Sequence, residues 1–455
     1  MKACAFILAL VLFSGGCVTP REEAVLEPVN VYPKANVILI TFDALRPDHL
    51  GCYGYQKGTS PNIDSLCLKS LVFTNSFSQS ASTITSTPSF LTSKYPQVDN
   101  LESTSIAEVL KASGYSTYAL VANEYAGRSS TKVNGFDIYD TCKDTTAAEI
   151  SDKAISILEG HDGGPFFLWV HYMEPHPPFV KNESLFRGFY DKQGEYPISF
   201  SFNVTDYGIR VRDLNDSQSG QKALDYYSGV MEEKVETYNY FNYDRRNLTE
   251  SMVEQLIALY DSNVHYGDAE FGRLVGHLEG KGLLDKSILI VSTDHGQTLG
   301  ERNKFGHNEL DYQSLHTPLI LRLPSEEHKV LDYPVMNVDI MPTIMELTGV
   351  YVDLNLRGES LLKEKKHDRI QYAGYYEGKT IKKGDYFAVI GKNKAKSSLH
   401  NVAKDPRMEE DLIDKEPDVF NKLKEEYERG IGYNKEYDED VLEKLRNIGY
   451  INFIG

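Results

Sequence analysis

Basic residues are outnumbered by acidic residues in this chain of 455 residues. The sequence holds 48 lysines and arginines against 66 aspartates and glutamates, a formal net charge of -18 at pH 7. An acidic surface repels a phosphate backbone, which argues against nucleic acid as a partner. Low-complexity tracts and internal repeats are absent. The hydrophobic content of 41% suffices for a large core, in one large domain with a small one beside it.

Cysteine is also scarce, with five in the chain, and none of them forms a Cys-x-x-Cys pair. A zinc knuckle or a thioredoxin-type motif is therefore not supported. Cys4 and Cys17 fall in the N-terminal segment, which leaves Cys52, Cys67 and Cys142. In an exported protein this odd number leaves at least one free thiol.

Long apolar runs are missing as well. The apolar run from Ala3 to Phe13 is shorter than the roughly 20 residues that span a bilayer. It follows one lysine and precedes small residues, which is typical of a signal peptide, here residues 1–17. The ending Ser-Gly-Gly-Cys17 resembles a bacterial lipoprotein site. We therefore expect export to the periplasm or cell surface, a lipid anchor in the membrane at Cys17, and a linker over residues 18–34.

Shorter apolar runs indicate buried strands, because parallel strands covered on both faces are apolar throughout. These runs are 36–42, 117–123, 166–171, 287–293 and 318–323. Helical spacing appears at 104–112 and 251–278, and Ser251 with Glu254 can form a capping box for the second helix. Alternating strands and helices predict an α/β fold with a mostly parallel central sheet flanked by helices.

Two regions depart from this rhythm. Residues 181–250 are rich in Tyr, Asn, Asp and Ser, and we interpret them as an insertion in a catalytic domain spanning 35–356. From residue 357 to residue 455, short strand-like segments precede a charged helix near 416–428. This pattern predicts a small α+β C-terminal subdomain.

Chemically active side chains follow three of the predicted strands. Asp43 follows the first, His171 ends the third and shortly precedes His176, and Asp294 with His295 follows the fourth. Ligands in open α/β sheets bind at the carboxyl ends of strands. Asp43, Asp294 and His295 together suit a divalent cation such as calcium, magnesium, manganese or zinc.

Such a metal site needs a nucleophile and groups that hold an anion. A Ser or Thr hydroxyl that faces the metal can act as the nucleophile. Histidine or lysine can neutralise the transferred group and protonate the leaving oxygen, and the candidates are His176, Lys304 and His307.

Together these segments resemble the sulfatase family of the alkaline phosphatase superfamily. The resemblance covers most of residues 36–451, without the insertion. The matching segments, in the order that the family has them, are 36–55, 135–140, 166–179, 294–307, 316–324, 338–350, 399–406 and 442–451. The resemblance implies an alkaline-phosphatase-like core and hydrolysis of sulfate or phosphate esters.

The resemblance also implies roles for particular residues. Asp43, Asp294 and His295 match metal ligands, for calcium if the protein is a sulfatase, while Ala44 stands where many members have a second aspartate. His176 matches the histidine of a Pro-His turn near the sulfate or phosphate. His307 matches the histidine of a Gly-His element that some members replace with lysine.

The nucleophile segment departs from the family pattern. Sulfatases carry Cys or Ser, then x-Pro-Ser-Arg and a later Leu-Thr-Gly, and the first residue is oxidised to formylglycine. A gapped match places Ser86 at this position, whereas an ungapped match back from Leu91 places Thr83 there. We favour Thr83, because a three-residue gap would shift the start of this helix by nearly one turn. Neither match supplies the arginine, since Phe90 or Thr87 takes its place.

The sequence therefore predicts an exported hydrolase with one divalent metal, acting on a sulfated or phosphorylated glycan, lipid or small ester. Threonine cannot become formylglycine, so a phosphoesterase or phosphotransferase with an unmodified Thr or Ser is the first alternative. A non-catalytic member of the family that binds anionic glycans is the second. A cofactor-independent phosphomutase is a third alternative, but the sequence lacks the larger set of ligands for two metals that we would expect in such an enzyme.

Overall fold

The computed structural model describes residues 30–142, 145–177, 179–181 and 249–431, without 308, 364–366 and 376–377, and the short pieces 186, 188–190, 201–205, 208–212 and 236–238. The predicted signal peptide, its lipid-anchor site at Cys17 and most of the linker lie outside the described residues. So do most of the insertion and the matching segment 442–451.

The strands are, in chain order, β1 (Asn36–Phe42), β2 (Leu71–Phe77), β3 (Ser116–Val121), β4 (Ile138–Thr141), β5 (Phe166–Tyr172), β6 (Phe179–Lys181), β7 (Ser201–Thr205), β8 (Gly208–Arg212), β9 (Glu236–Tyr238), β10 (Ser287–Thr293), β11 (Thr298–Leu299), β12 (Phe305–Gly306), β13 (His316–Arg322), β14 (Lys329–Leu331), β15 (Val335–Met336), β16 (Gln371–Tyr375), β17 (Gly378–Lys383), β18 (Tyr386–Ile390) and β19 (Ser398–Asn401). The helices are α1 (Pro61–Cys67), α2 (Thr83–Thr92), α3 (Ile106–Ala112), α4 (Arg128–Thr131), α5 (Ala147–Glu159), α6 (Glu250–Gly280), α7 (Tyr312–Leu315), α8 (Ile340–Thr348) and α9 (Pro417–Ile431).

The central sheet has the strand order β14-β2-β13-β10-β1-β5-β3-β4, and β15 also pairs with β2. Strand β1 lies between β10 and β5 and is parallel to both. In this described sheet only β13 runs against the others, because its pairs with β10 and β2 are antiparallel. The predicted α/β class and its mostly parallel sheet are therefore confirmed.

Strand β1 shows why these segments read as continuous apolar runs. All seven of its residues are buried. Successive side chains of a strand point to opposite faces. Ile38 and Ile40 accordingly join the core cluster that includes α5 and α6, whereas Val37 and Leu39 join the cluster that includes α3 and α8. Each such side chain contributes about 1.5–3 kcal/mol on full burial.

The long helix α6 begins one residue earlier than the pattern predicted, and its cap differs. The predicted capping box of Ser251 and Glu254 is wrong. Thr249 is the N-cap, and its hydroxyl accepts the N–H of Met252. Both Thr249 and Ser251 have a hydroxyl side chain that can cap a helix N-terminus. The choice depends on where the preceding backbone is extended, which spacing alone does not specify.

The C-terminal part forms a four-stranded antiparallel sheet, β16 to β19, with α9 packed against β17 and β18. This matches the predicted α+β subdomain, whereas its boundary at residue 357 stays a prediction. Arg369 ties its start to the large domain, because the guanidinium contacts both carboxylate oxygens of the buried Asp339.

Two further features bear on the sequence predictions. Cys52 and Cys67 form a disulfide, and Cys142 is a buried free cysteine, in agreement with the expected free thiol. Of the helices that the structure describes, none combines the length and apolar character that a membrane crossing requires.

Candidate active site

The two central parallel strands bring three predicted ligands together. Phe42 of β1 is in register with Thr293 of β10, so the next residues, Asp43 and Asp294, lie side by side. Nε2 of His295 is 3.4 Å from Asp294 Oδ2 and 3.8 Å from Asp43 Oδ1. One ligand atom from each of the three residues lies within 4.8 Å of the others, and all three residues are fully buried.

The chemistry of this triad fits a divalent cation. Asp43 Oδ1 is buried and has no hydrogen-bond partner among the described residues, so it offers a free lone pair. His295 Nδ1 lies 2.9 Å from the carbonyl oxygen of Gly296 and must donate to it. In the neutral ring this leaves the lone pair on Nε2, which faces the carboxylates. Such an outer hydrogen bond is typical of histidines that bind metals.

The two carboxyl groups have opposite electrostatic environments. Burial acts to raise the pKa of Asp43, but His176, His171 and His295 hold it well below its usual range. Burial raises the pKa of Asp294, and the neighbouring Asp43 carboxylate raises it further. A cation between them would stabilise both charges. Because a proton competes with the cation for the Asp294 carboxylate, metal affinity should fall as the pH falls.

Both candidate nucleophiles lie on one face of α2 and point at this triad. Thr83 is the first residue of the helix and Ser86 lies three positions on, a spacing that places side chains together. Thr83 Oγ1 is 3.2 Å from His295 Nε2, and Ser86 Oγ is 3.4 Å from Asp294 Oδ2. Thr83 also forms a hydrogen bond that lowers the pKa of Asp294. The positive end of the helix dipole lies at Thr83, which favours an anion there.

His176 and His307 form a pair beside the triad. Their Nε2 atoms are 3.0 Å apart, and the ring of His307 also packs on that of His295. Nδ1 of His176 donates to the Pro177 carbonyl, and Nδ1 of His307 donates to the Ala81 carbonyl. The contact between the two Nε2 atoms is a hydrogen bond only if one of them carries a proton.

Burial and neighbouring charges weaken the hold of this pair on its proton. Burial lowers the pKa of His176, with Asp43 acting in the opposite direction. Burial, His295 and His176 lower the pKa of His307 well below its usual value. An imidazolium with a lowered pKa releases its proton readily, as a general acid must.

Lys304 is not brought to this cluster by any described contact. Its ammonium pairs with Glu309, and 38% of its side chain is exposed. Burial lowers its pKa, while Asp311 raises it. The role predicted for Lys304 thus stays a prediction, and the geometry gives it no support.

Asn123 was missed by the sequence reasoning. It follows β3, is 6% exposed, and its side-chain amide donates to Asp43 Oδ2. His171 approaches the same oxygen, with Nε2 3.4 Å away, while its Nδ1 contacts Thr41 Oγ1. These two side chains orient the Asp43 carboxylate. The strand-end rule that pointed to Asp43 applies equally to Asn123, which ends the predicted strand 117–123.

Gly296 provides a stability test of this backbone. A Cβ at Gly296 would lie 2.1 Å from the carbonyl oxygen of Gln313, whereas a Cβ at the exposed Gly276 in α6 meets nothing within 4 Å. We expect Gly296→Ala to destabilise the protein by about 2 kcal/mol or more, because the segment holding His295 must shift. Gly276→Ala should stabilise it by about 1 kcal/mol. Urea denaturation measures both, and a neutral Gly296→Ala would contradict the described backbone.

Comparisons with known proteins place these residues in context. A family model described as Sulfatase matches residues 35–350. A second, described as N-sulphoglucosamine sulphohydrolase, C-terminal, matches residues 300–429. Together these matches include the triad, both hydroxyls, both paired histidines and the C-terminal sheet.

Curated relatives include iduronate 2-sulfatase of Homo sapiens, 26% identical over 372 residues, which are 70% of this chain and 64% of the relative. A multifunctional alkaline phosphatase superfamily protein of Trinickia caryophylli is 26% identical over 216 residues, 47% of this chain and 40% of the relative. N-acetylglucosamine-6-O-sulfatase of Bacteroides thetaiotaomicron is 23% identical over 408 residues, 76% of this chain and 72% of the relative. The chain thus spans less than two thirds of the length of the first two.

Solved structures share the fold. A protein in complex with its substrate D-glucosamine-2-N,6-O-disulfate has a TM-score of 0.66 at 20% identity, with 88% of this chain and 99% of that one covered. Phosphonate monoester hydrolase of Agrobacterium radiobacter has a TM-score of 0.65 at 18% identity, covering 86% of this chain and 94% of its own.

Proposed function

The chain belongs to the sulfatase family, and we propose that it is a metal-dependent hydrolase that cleaves sulfate or phosphate esters through the hydroxyl of Thr83. The observation that carries this proposal is the position of that hydroxyl, 3.2 Å from Nε2 of a ligand in the buried triad. The paired histidines beside it supply the acid that the leaving group needs.

Asp43, Asp294 and His295 would hold one divalent cation, and calcium is our first choice because the family match is to sulfatases. When bound, the cation would lower the pKa of a hydroxyl beside it and polarise the ester oxygen. Asn123 and His171 keep the Asp43 carboxylate oriented toward the other ligands. Magnesium, manganese and zinc are the alternatives.

Thr83 is the better nucleophile of the two hydroxyls. It contacts His295 and also interacts with Asp294, and it stands at the helix N-terminus, whereas Ser86 lies one turn further along. The Thr83 hydroxyl passes its proton to the Asp294 carboxylate, with which it forms a hydrogen bond. Its oxygen attacks sulfur or phosphorus, and the bond to the leaving oxygen breaks. When one Nε2 of the His176–His307 pair carries a proton, that proton passes to the leaving oxygen, which departs as an alcohol.

Hydrolysis of the threonine ester completes the cycle. Water attacks the same sulfur or phosphorus atom, and the histidine pair takes up the water proton that restores its charge. The Thr83 oxygen leaves and takes back the proton that Asp294 accepted in the first step. The net reaction consumes one ester and one water and releases an alcohol and sulfate or phosphate.

A phosphoesterase is the second candidate, and the identity of residue 83 favours it. Threonine lacks the primary carbon that oxidation to formylglycine requires, so the hydrate that sulfatases use cannot form at Thr83. The likeness to a phosphonate monoester hydrolase fold is compatible with this chemistry.

The substrate we propose is a sulfated or phosphorylated glycan, with a lipid or small ester as alternatives. The names of the relatives supply the support, since they act on iduronate and N-acetylglucosamine sulfates. Residues 1–17 support export, so we place the substrate in the periplasm or outside the cell, with the protein held to the membrane by a lipid at Cys17.

Purified protein, loaded with each cation in turn, tests the reaction class on aryl sulfate, aryl phosphate and aryl phosphodiester. We expect turnover of at least one monoester that depends on the cation. Mass spectrometry of the peptide covering residues 79–94 should show unmodified Thr83 and Ser86 in protein from its own host. Cation binding with no turnover of any ester would instead favour the non-catalytic, glycan-binding alternative.

A further inference from the structure

Glu174 is a buried acid that the proposed chemistry leaves without a role. It lies two residues before His176, in the turn after β5, and 5% of it is exposed. The N–H of Ala147, the first residue of α5, donates to Glu174 Oε1 over 3.1 Å. The other oxygen, Oε2, is buried and has no hydrogen-bond partner within the described part of the chain. This single contact links the turn to the start of a helix.

The N-terminus of α5 needs this acceptor. The first N–H groups of a helix have no partner within it and carry partial positive charge, so they favour a carboxylate. Thr146 and Glu149 close a capping box in which each side chain accepts the backbone N–H of the other. That box does not use the N–H of Ala147, which donates to Glu174 instead.

On its other side Glu174 lies beside α6. A Cβ at Gly267 of α6 would lie 3.6 Å from Glu174 Cβ and 3.2 Å from Cε1 of Phe42, the residue before Asp43. Within the turn, the N–H of His176 donates to the carbonyl of Met173 over 2.9 Å. A shift of the Glu174 carboxyl would therefore be passed through the turn to the His176 imidazole.

We propose that Glu174 is a positioning residue that ties its turn to the N-terminus of α5 and thereby holds His176 Nε2 opposite His307 Nε2. The inference rests on the proposed function, because the histidine pair has its role there. The carboxyl group does not touch the reacting atoms. Its effect on catalysis passes through the orientation of His176.

The charges around Glu174 indicate which replacement preserves the tie. Burial raises its pKa to about 7, the helix N-terminus opposes this, and Glu270 and Glu149 raise it further. The titratable groups that face it are Glu149 from α5, Glu270 and Tyr266 from α6, and Tyr172 from β5. No cation is among them, so a neutral amide is a close substitute for this carboxyl.

Three variants separate the tie from general stability. Glu174→Leu keeps the volume but cannot accept a hydrogen bond, and we expect kcat to fall about 10²-fold because His176 is displaced. Glu174→Gln keeps an acceptor for the Ala147 N–H, and kcat should stay within about threefold of wild type. Glu149→Leu, at the same helix end, should lower the melting temperature through loss of the capping box and leave kcat within about threefold.

A fourth variant breaks the tie from the helix side. Ala147→Pro removes the donating N–H at the first helical position, where proline is tolerated, and Thr146 before it is already extended, with ψ 162°. The turn itself is unchanged in sequence. We expect the same loss of kcat as in Glu174→Leu, which keeps the proposal testable if Glu174→Leu does not fold.

Combination with His176→Asn gives the decisive readout. If Glu174 acts through His176, then introducing Ala147→Pro or Glu174→Leu into the His176→Asn variant should lower kcat by less than about a further threefold. The same cycle is measured on the dissociation constant of inorganic phosphate for the metal-loaded protein. If the wild type turns over no ester, the proposed function is refuted. The phosphate-binding cycle then still tests whether Glu174 positions His176. Additive losses, or a Glu174→Gln variant as impaired as Glu174→Leu, would overturn the proposal.

Discussion

Replacement of Thr83 by valine is expected to lower kcat/KM for the preferred ester by at least about 10³-fold, because the isosteric side chain lacks the attacking oxygen. Thr83 is 1% exposed and its methyl group is retained in valine, so the fold should be little changed. Steady-state kinetics on the metal-loaded variant, with a melting curve to confirm folding, measures this loss.

Two companion variants show whether the loss belongs to the hydroxyl at this position. Thr83→Ser keeps the oxygen and should retain activity within about tenfold of wild type. Ser86→Ala removes a hydroxyl whose one hydrogen bond among the described residues is to Asp294 Oδ2, and a loss of about tenfold or less is expected. If instead Ser86→Ala is inactive and Thr83→Val is active, the nucleophile is Ser86 and the gapped match of the motif is right.

Replacement of Asp43 by asparagine should weaken cation binding by at least about 10²-fold. Even the loss of a residue that only hydrogen-bonds to a metal ligand lowers metal affinity by about 10- to 100-fold. Cation at one hundred times the dissociation constant of the wild type should stabilise the wild type by about 2.7 kcal/mol, and the same concentration should stabilise the variant by about 0.4 kcal/mol or less. The metal-free variant should be less stable than the metal-free wild type, because the neutral amide loses the interactions with His176, His171 and His295 that lower the pKa of Asp43. Thermal unfolding with and without cation measures all three quantities.

Asp268→Asn is the matched control for this experiment. Asp268 is an equally buried acid, but its carboxylate accepts the backbone N–H groups of Asn62 and Ile63, and no described contact joins it to the triad. The variant should lose stability and keep the full increase on cation binding. A cation-dependent increase that survives in full in Asp43→Asn would show that the cation binds elsewhere.

One geometric rule explains why the sequence could predict that Asp43 and Asp294 lie together. The carboxyl ends of parallel strands meet at one edge of a sheet, and β1 and β10 are neighbours in register, so Asp43 and Asp294 had to meet. The strand bounds of β1 and β10 agree with the prediction because both are buried on both faces. The family resemblance added the nucleophile segment, which no strand-end argument locates.

The sequence did not predict the direction of every strand or the partners of individual side chains. An apolar run predicts a strand but not its direction, and β13 turned out antiparallel to its neighbours. Lys304 has the charge that an anion site needs, yet its ammonium pairs with Glu309, five residues on. Asn123 is uncharged, so its residue type does not indicate a metal site, although its amide donates to Asp43. Side-chain partners of this kind are set by tertiary packing rather than by spacing.

The central claim is that the unmodified Thr83 hydroxyl becomes esterified during turnover. The most direct measurement is an acid quench of the metal-loaded enzyme during steady-state turnover, followed by mass spectrometry of the peptide covering residues 79–94. We predict one added sulfo or phospho group on Thr83, absent without cation and absent in Thr83→Val. The group on Ser86, or a formylglycine within this peptide, would contradict the account.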